Sequence, residues 1–189
     1  YQWSLNGSPI SGATTATLVI PSVATANGGF YTVQISNAHG NVTSSGATLT
    51  VQTPPSILVP PQTTTVLQGN TLNLSVTATG TAPLSYQWKV NGAPITGATG
   101  ASLNIPNIQA NQAGSYTVDV INACGTVTSP ASTVTVGIPP TIVSGGQPQS
   151  QVVCTGTNVS LSVTASGTAP LGYQWSLNGS PISGATTAT

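Results

Sequence analysis

Residues 72–92 read LNLSVTATGTAPLSYQWKVNG, and this stretch contains two predicted strands and a turn. At its start, the apolar residues Leu72, Leu74 and Val76 alternate with polar residues. This alternation predicts a β-strand with one buried face. At its end, Asn91-Gly92 follows the strand of Trp88 and predicts a tight hairpin turn.

The same patterns recur along the chain and indicate an all-β fold. Alternating apolar positions predict further strands at Leu103 and Ile105, Tyr116 and Val118, Val134 and Val136, and Leu161 and Val163. Asn-Gly turns recur at Asn6-Gly7 and Asn178-Gly179. No segment has a sustained helical period. Short strands separated by turns predict a β-sandwich.

Internal repetition is the strongest signal in the sequence. The triplet Tyr-Gln-Trp ends at Trp3, Trp88 and Trp175, with spacings of 85 and 87 residues. Residues 173–189, YQWSLNGSPISGATTAT, repeat residues 1–17 letter for letter. Two related units therefore alternate with a full period of 172 residues, and the start at Tyr1 predicts that this sequence is a piece of a longer chain.

The repeat predicts one complete domain between two partial ones. The complete domain is 54–137, whereas 1–53 is the back part and 138–189 the front part of the other unit. Pro54-Pro55 and Pro139-Pro140 stand at the two boundaries. Because proline fixes φ, we expect stiff connections that hold successive domains end to end.

Charged residues are almost absent. The 189 residues include one Lys or Arg, one Asp or Glu and one His, which are Lys89, Asp119 and His39. Charged residues are 1% of the chain, against about 25% in an average soluble domain. Few groups can titrate, so we expect stability to depend weakly on pH and salt.

This composition argues against most kinds of catalytic, metal-binding and nucleic-acid-binding site. The usual glycosidase needs two carboxylates, and calcium or zinc sites need clusters of acidic oxygens or of His and Cys. A single Lys cannot form the basic patch that nucleic acids require. The sequence therefore predicts no enzyme, no cofactor, no metal site and no nucleic-acid partner. No run of about 20 apolar residues predicts a membrane span in this segment.

The order of the motifs resembles intermediate-set immunoglobulin domains, of the type found in tandem in large bacterial surface proteins. Leu72–Val76 resembles strand B of that fold, and Trp88 resembles the core Trp of strand C. Residues 113–118, AGSYTV, resemble the tyrosine corner before strand F. The other unit matches with Leu18-x-Ile20 as strand E and residues 29–33, GFYTV, as its corner.

The resemblance implies a set of core residues and two departures from the family pattern. The disulfide of antibody-type domains is replaced by Val76 with Val118 and by Val163 with Val33. No acidic residue precedes either tyrosine corner, so neutral hydrogen bonds must hold it. The expected core residues are Trp3, Trp88, Trp175, Tyr31, Tyr116, Val76 and Val118.

Aromatic residues offer no sugar-binding platform by this reasoning. Tyr1, Tyr86 and Tyr173 are expected to face inward with the Trp residues, which leaves Phe30. Phe30 is expected either to pack across a domain junction or to face solvent.

The two charged residues are expected to meet on the surface. Trp88 and Val118 point inward, so their neighbours Lys89 and Asp119 point outward on adjacent strands of the resembled fold. Such a surface pair contributes about 0–1 kcal/mol.

The cysteines suggest a link between successive periods. The resemblance implies that Cys124 lies in the F–G hairpin of the complete domain and Cys154 in the A′–B turn of the other unit. Turns of these two kinds face each other at each junction where the unit that contains Cys154 precedes the complete domain. Cys124 and Cys154 of one copy are expected to lie too far apart to bond. A disulfide joining successive periods is therefore predicted, and the alternative is two free, buried thiols.

Five sequons are candidate glycosylation sites, because a neutral, Thr-rich surface has few charges to keep it soluble. Lateral packing in a fibre is the alternative cover for that surface. The sequons begin at Asn6, Asn41, Asn73, Asn158 and Asn178.

Together these features predict a structural repeat of an extracellular fibre or stalk on a cell surface. Its partners would be copies of itself, either in one covalent tandem chain or as head-to-tail subunits, with glycans as a further expected partner. The alternative is an adhesin that binds sugar or protein through its loops.

Overall fold

The computed structural model describes all 189 residues, and nearly all of its regular structure is β-strand. The first five strands form one sheet in the order β2-β1-β3-β4, with β5 also paired to β3. Their bounds are β1 Gln2–Leu5, β2 Ser8–Pro9, β3 Gly29–Asn37, β4 Gly40–Thr43 and β5 Ala47–Leu49.

The next ten strands form a six-stranded sheet and two strand pairs. The six-stranded sheet has the order β11-β10-β13-β15-β7, with β14 on β13, and the pairs are β12-β8 and β6-β9. The bounds are β6 Ser56–Val59, β7 Thr64–Leu67, β8 Leu72–Ser75, β9 Thr77–Thr79, β10 Ser85–Val90, β11 Ala93–Pro94, β12 Ser102–Ile105, β13 Gly114–Asn122, β14 Gly125–Thr128 and β15 Ser132–Gly137.

The last part of the chain has four two-residue strands. They are β16 Thr141–Ile142, β17 Ala165–Ser166, β18 Ser176–Leu177 and β19 Ser180–Pro181, paired β16 with β17 and β18 with β19. The helices are two short 3-10 turns, Thr25–Asn27 and Ala110–Gln112. No helix of the protein is long and apolar enough to cross a membrane.

Contacts between Cα atoms divide the chain into two compact units. One comprises residues 1–58, 78–85 and 119–127, and the other comprises residues 59–77, 86–118 and 128–189. The domain boundaries predicted from the repeat, at residues 54 and 138, stay predictions.

The predicted strand at Leu72–Val76 is confirmed as β8. It pairs antiparallel with β12, and Leu74 lies opposite Leu103. The apolar residues Leu72, Leu74 and Val76 are buried and their polar neighbours are exposed. Period-two alternation therefore marks a strand that covers one side of a core.

The buried core lies almost entirely between residues 72 and 136. Of its twelve apolar members, only Tyr31 lies outside that range. The other eleven are Leu72, Leu74, Val76, Trp88, Leu103, Ile108, Tyr116, Val118, Val120, Val134 and Val136. Five of the seven predicted core residues are thus buried, namely Trp88, Tyr116, Val76, Val118 and Tyr31. The other two, Trp3 and Trp175, are partly exposed.

The hairpin after each Trp has the predicted turn. Asn91 and Gly92 have φ values of +50° and +84°, which is the left-handed pair that an Asn-Gly turn requires. The Gln of the triplet closes the hairpin, because Gln87 Nε2 donates to the carbonyl oxygens of Trp88 and Ile95. Gln2 and Gln174 make the equivalent bonds.

The tyrosine corners hold by neutral hydrogen bonds, as expected. Tyr116 Oη donates to the carbonyl oxygen of Gln112 at 2.7 Å, and Tyr31 Oη donates to that of Asn27 at 2.6 Å. Burial raises the pKa of the Tyr116 hydroxyl above its usual range.

Two predicted strands are not formed. Residues 158–164, which include Leu161 and Val163, have no strand, and neither do Leu18–Ile20. Their counterparts are β8 and β12, which form strands by pairing with each other. Residues 158–164 and 18–20 each lack such a partner, and an isolated extended segment gains too little from its side chains alone to stay regular.

One aromatic expectation needs correction, and the packing of Phe30 across a domain junction stays a prediction. Tyr1 is half-exposed rather than inward-facing. Phe30 is also half-exposed, but its ring lies over Gly46, where a Cβ atom would lie 1.7 Å from the ring. In the complete domain, Ser115 stands at the position of Phe30 and Ala131 at the position of Gly46. The large ring of Phe30 therefore occurs together with a glycine at the position that faces it.

Candidate functional site

The first proline junction is a hydrogen-bonded cluster within the first compact unit. The Thr53 backbone N–H donates to Thr81 Oγ1 at 2.8 Å, and the Thr81 N–H donates back to the Thr53 carbonyl oxygen at 3.1 Å. Asn122 Nδ2 then donates to the carbonyl oxygens of Thr53 and Thr81 at 2.8 and 3.0 Å. One amide therefore holds two segments that meet beside Pro54 and Pro55.

Gly80 is required at this junction for two reasons. Its φ is +145°, a conformation that residues with a side chain rarely adopt. A Cβ atom there would lie 3.0 Å from both the Pro54 carbonyl oxygen and Pro55 Cα. The backbone of the proline pair therefore passes directly against the glycine.

The second proline pair has a similar but simpler arrangement. The Ile138 N–H donates to Thr168 Oγ1 at 2.6 Å, and the Thr168 N–H donates to the Ile138 carbonyl oxygen at 2.9 Å. A Cβ atom on Gly167 would lie 2.9 Å from Pro140 Cα. The backbone contacts therefore repeat at the two junctions.

Cys124 lies at the edge of the first junction. Its backbone N–H donates to Asn122 Oδ1 at 2.9 Å, and its Sγ lies 3.7 Å from Gln52 Oε1. The thiol is therefore beside the side chain of the residue that precedes Thr53. Cys124 and Cys154 are both exposed free thiols, so neither is buried as the alternative assumed. The disulfide between successive periods stays a prediction.

The remaining predicted site residues lie on the surface or half-buried. All five sequon asparagines, Asn6, Asn41, Asn73, Asn158 and Asn178, are exposed. Lys89 and Asp119 are half-buried, and their pairing stays a prediction.

Sequence reasoning missed the residues that build the junction. No sequence pattern marks Gln52, Thr81 and Asn122 as residues of a junction, although recurrence could have found two of them. Asn122 recurs as Asn37 in an Asn-Ala-x-Gly motif, and Thr81 recurs as Thr168 in Gly-Thr-Ala-Pro. A polar residue kept in both repeats without any charge beside it is a candidate for a fixed hydrogen bond.

One family model matches the chain. The immunoglobulin domain model covers residues 54–122. That range contains the buried Trp88, the confirmed β8 and the tyrosine corner of Tyr116. Residues 54–122 are thus an immunoglobulin-like domain, as the motif order predicts.

Curated relatives share parts of the chain. A decoration protein of Escherichia phage T5 is 42% identical over 81 residues, which is 42% of this chain and 49% of that protein. Hemicentin-2 of Mus musculus is 28% identical over 200 residues, which is 96% of this chain and 4% of hemicentin-2. Roundabout homolog 1 of Rattus norvegicus is 27% identical over 185 residues, covering 88% of this chain and 11% of that protein. The chain spans about half of the phage protein and only a small part of the two animal proteins.

Solved structures establish the fold along nearly the whole chain. A titin I-band fragment matches with a TM-score of 0.77 and 21% identity, over 96% of this chain and 69% of the fragment. A mutated variant of a titin fragment, with three immunoglobulin domains, matches with a TM-score of 0.75 and 20% identity, over the same shares. The chain is therefore an all-β protein of immunoglobulin-like sandwiches in tandem.

Proposed function

We propose that this chain is a structural, non-catalytic repeat of an extracellular fibre, stalk or filament in a large, repetitive bacterial surface protein. One observation carries the proposal: residues 173–189 repeat residues 1–17 letter for letter. A further copy of the 172-residue period can therefore follow without any change of sequence. Repetition without variation suits a protein that needs length more than it needs a unique site.

The first junction supports a mechanical role. Pro54 and Pro55 restrict the backbone, and Gly80 and Asn122 hold Thr53 and Thr81 against it. Thr53 ends the N-terminal segment and Asn122 ends β13, so tension along the chain would load hydrogen bonds rather than a slack linker. The match to titin fragments supports the tandem fold but is too low in identity to carry function.

The composition supports a surface role that tolerates changing conditions. With one basic and one acidic residue, the protein has almost no charges that salt could screen or pH could remove. A disulfide between Cys124 and Cys154 of successive periods would reinforce the fibre and requires an oxidising compartment. Both features favour a place outside the cell.

A second candidate is a module that decorates or adheres to a surface. The observation that favours it is the 42% identity to the phage decoration protein over 81 residues. This candidate needs a binding face on the domain rather than a long array. The fibre remains the better-supported function because a letter-for-letter repeat adds nothing to a single binding face.

Electron microscopy of the native material tests the proposal. Gold-labelled antibody raised against residues 54–137 should decorate filaments at regular intervals, one label for each period. Antibody first absorbed with the purified chain is the control. Single labels scattered over a particle surface would support the decoration module instead, and label confined to the cell interior would contradict both.

The reduced, denatured mass of the native protein separates the two kinds of fibre. A mass far above 18.7 kDa means a covalent tandem chain, and a mass near 18.7 kDa means head-to-tail subunits. Intact mass in excess of the sequence mass would identify glycans on the five sequons.

A further inference from the structure

One strand of the central immunoglobulin-like domain, β12, has an open edge. Its residues Ser102–Ile105 pair antiparallel with β8, and the two form a two-stranded sheet. The segment between Pro94 and Ser102 forms no strand that could pair with the other side of β12. Both strands lie within residues 54–122, the range that matches the immunoglobulin domain model.

The register of β12 on β8 shows which backbone groups face the open edge. The Val76 N–H donates to the Ala101 carbonyl oxygen at 2.9 Å, so these two residues are a hydrogen-bonded pair. Hydrogen-bonded and non-hydrogen-bonded pairs alternate along an antiparallel ladder, which puts Ser102 and Asn104 at non-hydrogen-bonded positions. The N–H and C=O groups of Ser102 and Asn104 therefore point away from β8.

A groove of about 340 Å³ opens beside this edge. It is lined by residues 95–100, by residues 102–106 and by Gln112, and none of these residues is charged. The space next to the outward backbone groups of β12 is therefore open to an added strand.

The edge of β12 lacks most of the features that prevent strand addition in natural sheets. Those features are charged side chains, proline within the strand, bulges and short length. The strand reads Ser-Leu-Asn-Ile, and the charged residues Lys89 and Asp119 lie on β10 and β13 of the other sheet. At the edge of that other sheet, β11 contains Pro94. Only the length of four residues limits what can pair with β12.

We propose that β12 is a lateral contact site at which β12 of a second copy adds in antiparallel orientation. The proposal rests on the proposed function, because it names the surface through which neighbouring fibres associate. With Leu103 of both copies at a two-fold axis, Ser102 of one copy lies opposite Asn104 of the other. Each of these two pairs exchanges two backbone hydrogen bonds, so the contact contains four.

The side chains on the exposed face match those of a second copy. Asn104 Nδ2 donates to Asn73 Oδ1 at 2.6 Å, so this amide is already aligned across the sheet. Joining two copies extends the row to Ser102 and Ser75 of the second copy, because directly opposite residues share a face. All four side chains are neutral, exposed and able to form hydrogen bonds. A second copy therefore meets no like charge along this row.

Charge and repetition favour a second copy as the occupant of this edge. The chain has one basic and one acidic residue and no net charge, so two copies do not repel each other and a charged partner gains no steering. Two strands of four residues form a contact far smaller than the about 1,600 Å² of a standard stable interface. One contact is therefore weak, but an array with one contact in each period adds many of them in register.

Disulfide trapping on the 189-residue chain tests the contact and its register. In a background of Cys124→Ser and Cys154→Ser, one variant carries Ser102→Cys and another carries Asn104→Cys. The Cα atoms of a hydrogen-bonded antiparallel pair lie about 5.5 Å apart, which suits a disulfide. With oxidised glutathione at high protein concentration, an equimolar mixture should therefore form covalent dimers several-fold faster than either variant alone. Mass spectrometry without reduction measures the dimers and locates the link.

Thr133→Cys and Thr135→Cys, in the same background, are the matched control pair. Both positions are exposed and lie two residues apart on β15, which has a paired strand on each side. Their mixture should crosslink only at the slow rate of random collision. Far-UV circular dichroism should be the same for all four variants, because each substitution lies on an exposed face. An edge mixture that crosslinks no faster than this control, or no faster than either edge variant alone, would overturn the proposed contact.

The outcomes separate this inference from the proposed function. Fast crosslinking of the edge mixture together with scattered antibody label would keep the contact between copies and overturn the fibre. Crosslinking at the control rate together with periodic antibody label would overturn the lateral contact and leave the fibre as a single rod.

Discussion

Residues 74–88 and 161–175 are almost the same sequence in two different structures. They differ at two positions, where Thr79 and Ser85 are replaced by Ser166 and Gly172. The first contains buried strand residues and ends at the fully buried Trp88, whereas the second is mostly irregular and Trp175 is partly exposed. The first has β12 opposite β8, and residues 158–164 have no such strand opposite them. A β-strand in this protein is therefore decided by its partner and its cover rather than by its own residues.

The largest expected difference between the two stretches is the contribution of their Trp residues to stability. Trp88→Ala should lower the free energy of unfolding by about 3–5 kcal/mol, because it leaves a cavity in a closed core. Trp175→Ala should lower it by less, because that ring already lies partly in solvent. Urea denaturation followed by circular dichroism on dilute, reduced protein measures both. Equal losses would mean that the core around Trp175 is closed.

The sequence alone predicts the structural features that depend on residues close to one another in the chain. The hairpins at Asn6, Asn91 and Asn178 and the strand at Leu72 follow from local patterns, the tyrosine corners follow from the resemblance to immunoglobulin domains, and all are present. The predicted strands at Leu161 and Val163 failed because alternation shows which face a strand would bury but not whether anything covers it. The bonds of the junction cluster could not be predicted, because they join residues 28 to 72 positions apart, although the repeat marks Thr81 and Asn122 as candidates.

The close approach of the proline pair to Gly80 should be the next largest effect. Gly80→Ala should cost about 1–3 kcal/mol of stability, because it forces a side chain into a strained φ and against Pro54 and Pro55. Gly100→Ala is the matched control, since its Cβ would meet only ordinary contacts at 3.5 Å and beyond. Thermal unfolding of both variants measures the difference. A tolerated Gly80→Ala would show that the junction backbone can shift at little cost.

Removing the Asn122 side chain should weaken the first junction. Asn122→Ala leaves the bonds between Thr53 and Thr81 in place. It removes the two bonds that Asn122 Nδ2 donates and the one that Asn122 Oδ1 accepts from the Cys124 N–H. Each such bond contributes about 0.5–1.5 kcal/mol net, so the amide of Thr81 should exchange about tenfold faster. Hydrogen exchange read by nuclear magnetic resonance compares Thr81 with Thr168 in the same sample. If Thr81 is no better protected than Thr168 in the unmutated chain, Asn122 does not brace the junction.

The smallest effect includes a change at high pH and tests the closed core through Tyr116. Its pKa is raised by burial, whereas an unfolded tyrosine ionises near pH 10. The folded state thus holds this proton more tightly, so the stabilisation is complete below about pH 10 and is lost as pH rises toward the raised pKa. With one acidic and one basic side chain, few charged pairs depend on pH, and the free energy of unfolding should vary little between about pH 5 and 9. Tyr116→Phe should lower stability by about 1 kcal/mol at neutral pH, because the bond to Gln112 is lost, and should reduce the decline above pH 10. An unchanged decline in that variant would assign the alkaline loss to other groups and would leave the burial of Tyr116 without energetic consequence.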